Sequence, residues 1–395
     1  RVLFRSVDDE PRILKALERD LHWWFTRRGL RLETTASPED CLSILADRNE
    51  EILILISDLR MPGMKGSDLL QEVSKEYPEI GLILLTAYSD MEEITKAVAA
   101  SINNLIMKPW DPMRLPVVLD RAVELVKTKE LNRQYLSEIN NQLETAGRFQ
   151  QDLLKVTPPK HPGLDLEVRS QPAAGLTVSG DYYDFLELDK DHYLTLLGDV
   201  SGHGIKPALV TALLKLLTRQ HATEQSVEEF SPARFLAAMN DSLTRELPAV
   251  SDVIVSLVAV YLDLHGGLAI QANAGHPQIV VVRRDSYIEL DSPGPALRFQ
   301  GDIAYRDTPV PLDKGDRIVM YTDGLFSDRA SQPAEMVQEH LATLFVQADR
   351  RGDHFLDSLE RLMLADNLLA PWNDPYSFPD DVTISTIKIT TFSQT

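Results

Sequence analysis

A stretch of helical pattern without a break runs from residue 115 to about residue 153, and it separates two parts of the chain that differ in pattern. Apolar or small side chains recur through it at alternating steps of three and four residues, with no proline after Pro116 and a single glycine, Gly147. A continuous helix of this length extends about 58 Å, more than a small domain needs. The positions of this heptad seam are Leu115, Val118, Ala122, Leu125, Lys129, Asn132, Leu136, Ile139, Leu143, Ala146, Gln150 and Leu153.

The heptad seam predicts a coiled-coil linker helix over residues 115–156, and a parallel dimer of such helices would make the chain a homodimer. Polar Lys129, Asn132 and Gln150 at core positions would weaken this dimer while restricting its register. The alternative is a single helix that packs only on the domains of its own chain.

The residues before this helix alternate short apolar runs with amphipathic stretches up to about residue 125. Five strands alternating with five helices predict a parallel sheet covered on both faces. In such a sheet the loops at the carboxyl ends of the strands bind ligands. Those predicted ends carry Asp8 and Asp9, then Asp58, then Thr86, then Lys108.

The residues after the helix follow a different pattern. The segment "TPPKHPG" at 157–163 ends the helix, because proline lacks the backbone donor and fixes φ. Many short apolar runs with alternating polarity follow, with helical stretches near 205–220, 231–247 and 333–367. This pattern predicts a β-rich second domain of the α+β type.

Composition excludes several classes of partner. The 395 residues include 60 acidic and 40 basic side chains, a net charge of -20, which opposes binding to nucleic acid or to anionic lipid. The single cysteine, Cys41, cannot form an intramolecular disulfide, and no apolar run is long enough to span a membrane. We therefore expect a cytoplasmic protein without nucleic-acid or membrane partners.

The first six residues, "RVLFRS", fit the pattern poorly. A buried strand would carry apolar residues where Arg5 and Ser6 stand. These letters are also what sequencing-adapter read-through can encode, so we expect residues 1–6 not to be native.

The acidic residues at the predicted strand ends of the first part have the chemistry of a magnesium site. Mg²⁺ prefers oxygen ligands in octahedral geometry and keeps several waters, and Asp8 and Asp9 are candidate ligands. Asp58 would be the third ligand and a carboxylate nucleophile for a phosphoryl group. Thr86 and Lys108 could pair with the added charge. Taken singly, each acidic residue is more often a solvated loop residue or helix cap.

These residues resemble the receiver domains of bacterial two-component response regulators, through "DDE" at 8–10, "SDLRMPGMKG" at 57–66, "LTAY" at 85–88 and "KPW" at 108–110. The resemblance implies a flavodoxin-like α/β receiver over residues 1–124, with a parallel five-stranded sheet. It implies that a sensor histidine kinase phosphorylates Asp58, that Asp8, Asp9 and Asp58 bind Mg²⁺, and that Thr86 and Lys108 sense the phosphate. One departure is Leu105, where many receivers carry a tyrosine or phenylalanine that reports phosphorylation.

In the second part of the chain, acidic residues follow apolar or turn-forming segments at four places. They are Asp181 in "VSGDYYDF", Asp199 in "LLGDVSGHG", Asp323 in "IVMYTDGLF", and Asp380 with Asp381 in "FPDDVTISTI". Neighbouring glycines allow tight turns and close approach of the backbone to an ion. Carboxylates around two divalent cations can activate water and hold a phosphoryl oxygen. The alternative is four unrelated turns, since Asp-Gly is common in hairpins.

Together with "PAAGLTVSGDYYD" and "NAGHP", these motifs resemble the PPM-type serine/threonine phosphatases, in particular the bacterial branch that controls sigma factors through anti-sigma antagonists. The resemblance implies a β-sandwich flanked by helices over residues 160–390, with two Mn²⁺ or Mg²⁺ ions. The implied metal ligands are Asp181, Asp199, the Val200 carbonyl, Asp323 and Asp380, whereas Asp381 would lie outside the direct ligands. His203 could act as a general acid, since a histidine can protonate a leaving alkoxide near neutral pH, but its distance of four residues from Asp199 favours a structural role in the turn. We expect His276 to shape its loop, and Tyr183 and Asp184 to bind no metal.

The two resemblances imply a response regulator whose output is dephosphorylation of phosphoserine or phosphothreonine on a partner, an anti-sigma-factor antagonist. The linker helix would transmit the state of the receiver to the helix predicted behind Asp199. The alternative is a catalytically inactive adaptor that binds a sigma factor or anti-sigma component, but such adaptors lack the aspartates present here. A DNA-binding regulator is disfavoured by the charge and by the absence of a recognisable helix-turn-helix.

Overall fold

The structure, a computed structural model, describes residues 3–87, 104–156, 161–248, 252–290, 293–299, 304–325, 334–352, 354–366 and 378–392. The chain divides into two compact units, Arg1–Ile139 and Asn140–Thr395, here called unit 1 and unit 2. The boundary at residue 139 lies inside the predicted linker, so the domain limits 1–124, 115–156 and 160–390 stay predictions.

Unit 1 is built on a parallel five-stranded sheet. Its strands are β1 (Leu3–Val7), β2 (Arg31–Thr35), β3 (Ile52–Asp58), β4 (Gly81–Ala87) and β5 (Asn104–Lys108). Their order is β2-β1-β3-β4-β5, which is the flavodoxin-like order and confirms the predicted fold class. Its described helices are α1 (Pro11–Arg28), α2 (Pro38–Arg48), α3 (Gly66–Glu76) and the first part of α4 (Leu115–Leu154), and Asn49–Glu51 is a 3-10 turn. The helix predicted near residues 90–101 lies outside the described residues.

Both faces of this sheet are buried under helices. Every residue of β3 is buried, as the unbroken apolar run of its sequence predicts for a central parallel strand. One face packs against α2 and α3 through Leu45 and Leu69, and the other packs against α1 and α4 through Trp24 and Leu119. Local signals set the helix ends: Ser37 caps α2, and Gly29 ends α1 in the left-handed conformation.

The outer strand pairing explains how β1 accommodates its polar residues. Arg5 stands opposite Glu33 of β2, and the two side chains form an ion pair although Arg5 is buried. Ser6 is also buried, and its hydroxyl has no hydrogen-bond partner in the part of the chain that the structure describes.

Helix α4 is continuous from Leu115 to Leu154, as the absence of breakers predicts. Its heptad seam, however, is covered at both ends by its own chain: Leu115 is buried in unit 1 and Gln150 in unit 2. In between, Leu136 and Ile139 are 62% and 51% exposed. The part of the seam that a second chain could cover is therefore its middle, and Gln150 serves packing within the chain.

Unit 2 contains two antiparallel sheets of five strands each among its described residues. One sheet has the order β13 (Thr308–Pro311), β10 (Leu268–Ala274), β9 (Val255–Asp263), β8 (His192–Val200) and β7 (Asp181–Glu187). The other has the order β12 (Ser286–Leu290), β11 (Ile279–Arg283), β14 (Arg317–Tyr321), β15 (Val382–Ile389) and β6 (Leu164–Gln171). The helices are α5 (Ile205–Ala222), α6 (Pro232–Glu246), α7 (Ala334–Arg350) and α8 (Phe355–Ala365).

Three apolar clusters show how these layers stack. Leu197 and Val258 of the first sheet meet Val281 and Met320 of the second sheet between the two sheets. The outer face of the first sheet packs on α5 and α6, and the outer face of the second sheet packs on α7 and α8. This confirms the predicted β-sandwich flanked by helices. The helical stretch predicted at 333–367 is two helices, α7 and α8, and Gly352 between them has a positive φ of 74°.

Within the described part of the chain, no helix is both long enough and apolar enough to cross a lipid bilayer.

Candidate functional site

In unit 1 the structure brings together the three predicted metal ligands. Asp8 and Asp9 follow β1, and Asp58 ends β3, so they lie at the carboxyl edge of two neighbouring strands. One carboxylate oxygen of each lies within 4.8 Å of the others. Asp8 and Asp58 are buried, and Asp9 is more exposed. Such a group of oxygen ligands fits a hard divalent cation such as Mg²⁺.

Lys108 connects this group to the far strand β5. Its Nζ lies 2.7 Å from Asp8 Oδ2 and 2.5 Å from Asp58 Oδ1. Burial raises the pKa of Asp8, against the lowering effect of Lys108. Burial alone would lower the pKa of Lys108, but its hydrogen bonds with Asp58 and Asp8 outweigh burial and raise it. The predicted sensing residue Thr86 is buried at the end of β4 and donates to the Ala87 carbonyl.

Two features near Asp58 bear on how a signal could leave unit 1. A Cβ atom at Gly66 would lie 1.7 Å from the Asp58 carbonyl oxygen, so only glycine lets α3 begin this close to the phosphoacceptor candidate. Leu105 on β5 stands where many receivers carry an aromatic residue that reports phosphorylation. It is aligned with Leu84 of β4 and is partly exposed.

In unit 2, Asp181 and Asp199 stand directly opposite each other on the antiparallel strands β7 and β8. Directly opposed residues have their side chains on the same face of a sheet, with Cβ atoms about 4.5–5.5 Å apart. Leu197 shares this face and packs between the two sheets, so both carboxylates point into the end of the sandwich. We call Asp181, Asp199, Asp323, Asp380 and Asp381 the carboxylate cluster.

The second sheet supplies the other members of the carboxylate cluster. Asp323 follows β14, and Asp380 and Asp381 precede β15, which pairs with β14. The Thr322 hydroxyl donates to Asp181 Oδ2 at 3.0 Å and so links the two sheets. Asp381 is buried and accepts from the backbone N–H groups of Ala173 and Gly180, at 2.7 and 2.6 Å, which holds the segment that leads to Asp181.

The glycines of "GDVSGHG" make the turn after β8 possible. Gly202 and Gly204 have positive φ values of 87° and 92°, which side chains with a Cβ rarely adopt. The chain turns there from Val200 at the end of β8 to the start of α5, and the exposed loop leaves Asp199 open to one side.

Burial and mutual repulsion dominate the electrostatics of the carboxylate cluster. Burial raises the pKa of Asp199 to about 7, and the charges of Asp323, Asp380 and Asp381 add to the effect. Burial, followed by the charge of Asp199, raises the pKa of Asp181 well above its usual range. The pKa values of Asp323 and Asp381 are also raised by burial. Asp323 is nevertheless exposed on the protein surface, so its shift reflects the protein on one side of its carboxyl.

Two observations test whether this arrangement fits metal ions. Asp181 Oδ1 is buried and makes no hydrogen bond within the described residues, which is the state of a ligand atom that a cation would complete. Among the described residues, the acidic triad of unit 1 is the group of three whose ligand atoms lie within 4.8 Å of one another. No three members of the carboxylate cluster, all of which lie in the described part of the chain, come that close together, so its fit to metal ions rests on the unpartnered Asp181 oxygen and on the pairing of Asp181 with Asp199.

The remaining candidates lie around this cluster and differ in burial and in the face they occupy. His203 is exposed in the loop after Asp199. His276 is buried in the "NAGHP" loop. Asp184 lies on the opposite face of β7 from Asp181, where Lys215 of α5 pairs with it at 2.8 Å. Tyr183 shares the face of Asp181 and packs between the sheets.

Sequence reasoning did not identify Thr322, or the role of Gln150. Gln150 Nε2 donates to the Ser179 carbonyl at 2.6 Å and to Thr211 Oγ1 at 2.8 Å, while the Ser179 N–H donates to Gln150 Oε1 at 2.9 Å. The Ser179 hydroxyl in turn accepts from the Asp181 N–H. The sequence predicts that this part of the linker acts on the helix behind Asp199, which Gln150 contacts through Thr211, but it does not predict the contact with Ser179.

These pKa shifts predict how the metal-free protein responds to pH. A carboxyl whose pKa is raised from 3.8 to about 7, as in Asp199, binds extra protons when folded, so stability is lost as pH rises between those values. We expect the chelator-treated protein to unfold at a lower temperature at pH 8 than at pH 5.5, and Mn²⁺ to reduce the difference by replacing the proton. Calorimetric melting with and without Mn²⁺ measures this, with Asp199→Asn as the variant that should flatten the pH dependence. An unfolding temperature that rises with pH in the metal-free protein would contradict the prediction.

Comparison with known families finds a match for each of the two units. Residues 5–120 match the response regulator receiver domain, and residues 189–390, more than half of the chain, match the family described as Stage II sporulation protein E (SpoIIE). The phosphoserine phosphatase RsbU of Bacillus subtilis is 28% identical over 235 residues, which cover 57% of this chain and 66% of that protein.

Two further relatives match separate parts of the chain. The hydrogenase transcriptional regulatory protein HoxA of Cupriavidus necator is 36% identical over 119 residues, 30% of this chain and 23% of that protein. The solved PP2C domain of SiaA from Pseudomonas aeruginosa is 22% identical, with a TM-score of 0.53, over 64% of this chain and 98% of that domain. The last likeness is one of fold. The chain spans less than two thirds of the length of the curated relatives named here.

Proposed function

Because the chain belongs to the Stage II sporulation protein E family, we propose that unit 2 is a metal-dependent phosphatase acting on phosphoserine or phosphothreonine of a partner protein. The observation that carries the proposal is the pairing of buried Asp181 with half-buried Asp199, in cross-strand register at the open end of the sandwich, with one oxygen of Asp181 unpartnered among the described residues.

The residues that would hold two divalent cations are Asp181, Asp199, the Val200 carbonyl, Asp323 and Asp380. When bound, such ions supply an activated water and neutralise charge on the phosphoryl oxygens. The chain itself fixes the ligands: Thr322 orients Asp181 by donating to Oδ2, and Asp381 holds the backbone before Asp181 through two N–H groups. Part of the site is open to solvent at Asp323 and His203, which suits a substrate that is itself a protein.

For unit 1 we propose a receiver that a sensor histidine kinase phosphorylates on Asp58. Asp8, Asp9 and Asp58 would hold Mg²⁺. The ion would offset the electrostatic repulsion between the Asp58 carboxylate and the incoming phosphoryl group. Lys108 already contacts Asp58, and it is the cation best placed to pair with a new phosphate. RsbU is a phosphoserine phosphatase, which supports the same chemistry for unit 2. By the resemblance of its motifs to the sigma-factor-controlling branch of the PPM-type phosphatases, we propose a phosphorylated anti-sigma-factor antagonist as the substrate.

Phosphate release from such a phosphoserine protein in the presence of Mn²⁺ tests the proposal. Wild type is compared with Asp199→Ala, and a chelator is added to both. A wild-type protein that releases no phosphate under any metal condition would instead favour an adaptor that binds the same partner.

We propose that α4 carries the signal between the receiver and the phosphatase. Gln150 on α4 holds both Ser179, which precedes Asp181, and Thr211 of α5, so a shift of this helix would act on a candidate ligand and on the helix behind Asp199. Gly147 permits the contact, since a Cβ there would lie 2.3 Å from the Thr177 carbonyl oxygen.

Replacing Gln150 with leucine tests this coupling. The change leaves the buried backbone N–H and carbonyl of Ser179 unpaired, at a cost of about 1–3 kcal/mol for each unsatisfied group, while the Thr211 hydroxyl keeps its bond to the Ala208 carbonyl. We expect Gln150→Leu to abolish the change in phosphatase rate that phosphorylation of Asp58 produces. The measurement is the ratio of phosphate release with and without a small phosphodonor. The neighbouring exposed Gln151→Leu is the control that should keep the ratio, and an unchanged ratio in Gln150→Leu would refute the coupling.

We also propose that the exposed middle of the heptad seam pairs with a second copy of the chain. Leu136 and Ile139 are large, apolar and exposed, and they continue the spacing of a coiled coil. We expect Leu136→Asp to convert a dimer to a monomer in light scattering, because a charge in the seam must be desolvated. Gln134→Asp, on the opposite side of the helix, is the control. A wild-type protein that is monomeric at micromolar concentration would exclude the dimer.

A further inference from the structure

The "NAGHP" loop holds a histidine that no step above uses. His276 is buried, and its Nδ1 lies 2.9 Å from the Ser256 hydroxyl. Asn273 fixes the loop by donating to the His276 carbonyl at 2.9 Å and accepting from the His276 N–H at 2.7 Å. Asn273 therefore fixes the backbone of His276, and Ser256 of β9 contacts its ring.

The Ser256 side of this contact lies next to the carboxylate cluster. Ser256 on β9 stands directly opposite Asp199 on β8. Since opposed residues share a face, the Ser256 side chain lies beside the Asp199 carboxylate at the end of the sandwich. Asp181, Asp199 and Ser256 thus form one row across three adjacent strands.

The loop that carries His276 runs from β10 of the first sheet to β11 of the second sheet. Strand β11 pairs with β14, which ends at Tyr321, so His276 also lies near the end of β14. Its Nε2 is buried and makes no hydrogen bond within the described residues. Tyr321 directly precedes Thr322, which donates to Asp181, and Asp323 comes next. Burial lowers the pKa of His276 to about 3, so the ring is neutral, with one donor and one acceptor nitrogen.

We infer that His276 is a positioning residue that connects the start of β9, beside Asp199, to the end of β14, beside Asp323. It thereby sets the spacing at which these two carboxylates meet a divalent cation. The inference rests on the proposed function, because it concerns the metal site of unit 2. Thr322 already links the two sheets through Asp181, and a side chain packed between the strand ends beside Asp199 and Asp323 would further oppose movement of one sheet against the other. Residues that support metal ligands in this way change metal affinity typically by about 10–100-fold when they are replaced.

Mn²⁺ titration calorimetry on the full chain tests the inference. All proteins carry Asp9→Asn, which removes a ligand of the receiver site. Two variants, His276→Phe and Ser256→Ala, remove the tie from either end. The matched control is His221→Phe, because His221 forms a similar buried contact, 3.0 Å from Nε2 to the Ser242 hydroxyl, between α5 and α6. The unfolding temperature of each protein is recorded as well.

We expect His276→Phe to weaken Mn²⁺ binding by about 10–100-fold, Ser256→Ala to weaken it to a smaller extent, and His221→Phe to lower the unfolding temperature without weakening binding. If His276→Phe does not fold, the result for Ser256→Ala decides. If both His276→Phe and Ser256→Ala bind Mn²⁺ with wild-type affinity, the inference is overturned and the proposed function still stands. The same conclusion follows if His221→Phe weakens Mn²⁺ binding as much as His276→Phe does. A parent protein that takes up no Mn²⁺ overturns the proposed function and the inference with it.

Discussion

Replacing Asp199 with alanine is expected to lower Mn²⁺-dependent phosphate release by at least about 100-fold, the upper range for loss of a group that only supports a metal ligand. Loss of the Asp199 carboxylate should lower the rate more than loss of a supporting group, because Asp199 would contact the ion itself. Its carboxyl also has a pKa of about 7 without metal, which shows how strongly the surrounding protein and acidic neighbours disfavour its charge unless a cation compensates.

The control for this experiment is Glu187→Gln, which removes an exposed carboxylate at the far end of β7 and should leave the rate unchanged. Calorimetry should show that Asp199→Ala also loses Mn²⁺ uptake in unit 2, since a defect in catalysis alone would not alter binding. If Asp199→Ala released phosphate at a rate close to that of wild type, the carboxylate cluster would have no part in the reaction.

Replacing Lys215 with alanine is expected to destabilise unit 2 by about 3–5 kcal/mol, because it leaves a buried carboxylate without its partner. Asp184 is fully buried, Lys215 is 9% exposed, and their charged atoms lie 2.8 Å apart. Arg219 lies 3.5 Å from the same oxygen and would compensate in part. This ion pair joins β7, which carries Asp181, to α5, which follows the Asp199 loop, so its loss should loosen both.

Calorimetric unfolding measures this loss, with Lys206→Ala as a control on the same helix. Lys206 pairs with Asp252 at the surface, and we expect its replacement to leave the unfolding temperature unchanged. The double variant Asp184→Leu/Lys215→Met should recover much of the stability, because apolar side chains of similar size can replace a buried ion pair. Full stability of Lys215→Ala would show that the pair contributes nothing.

The fold was largely readable from the sequence because burial is written into residue periodicity. The apolar runs of β3, β8 and β9 place those strands between covering layers, and the structure buries most residues of each. The break between α7 and α8 was not readable, because the apolar spacing continues on both sides of Gly352 and one glycine does not by itself end a helix.

The motifs predicted the candidate metal ligands, but they did not predict the contacts that hold those ligands in place. Asp184 and Asp181 are three residues apart in one strand, so alternation alone puts them on opposite faces and explains why Asp184 meets α5. The contacts of Gln150 and His276 join segments far apart in the chain. Their partners depend on how the sheets and helices pack, which residue spacing does not encode.

The direct pairing of Asp181 with Asp199 has a consequence for folding fidelity. If β7 slipped by one residue, Asp181 would turn toward the apolar layer under α5, where Tyr182 now packs, and a cation could no longer bridge the two strands. At 100 times its dissociation constant, a bound ion favours the competent pairing by about 2.7 kcal/mol. A bound ion would thus favour the correct register of β7 against β8 over a slipped register.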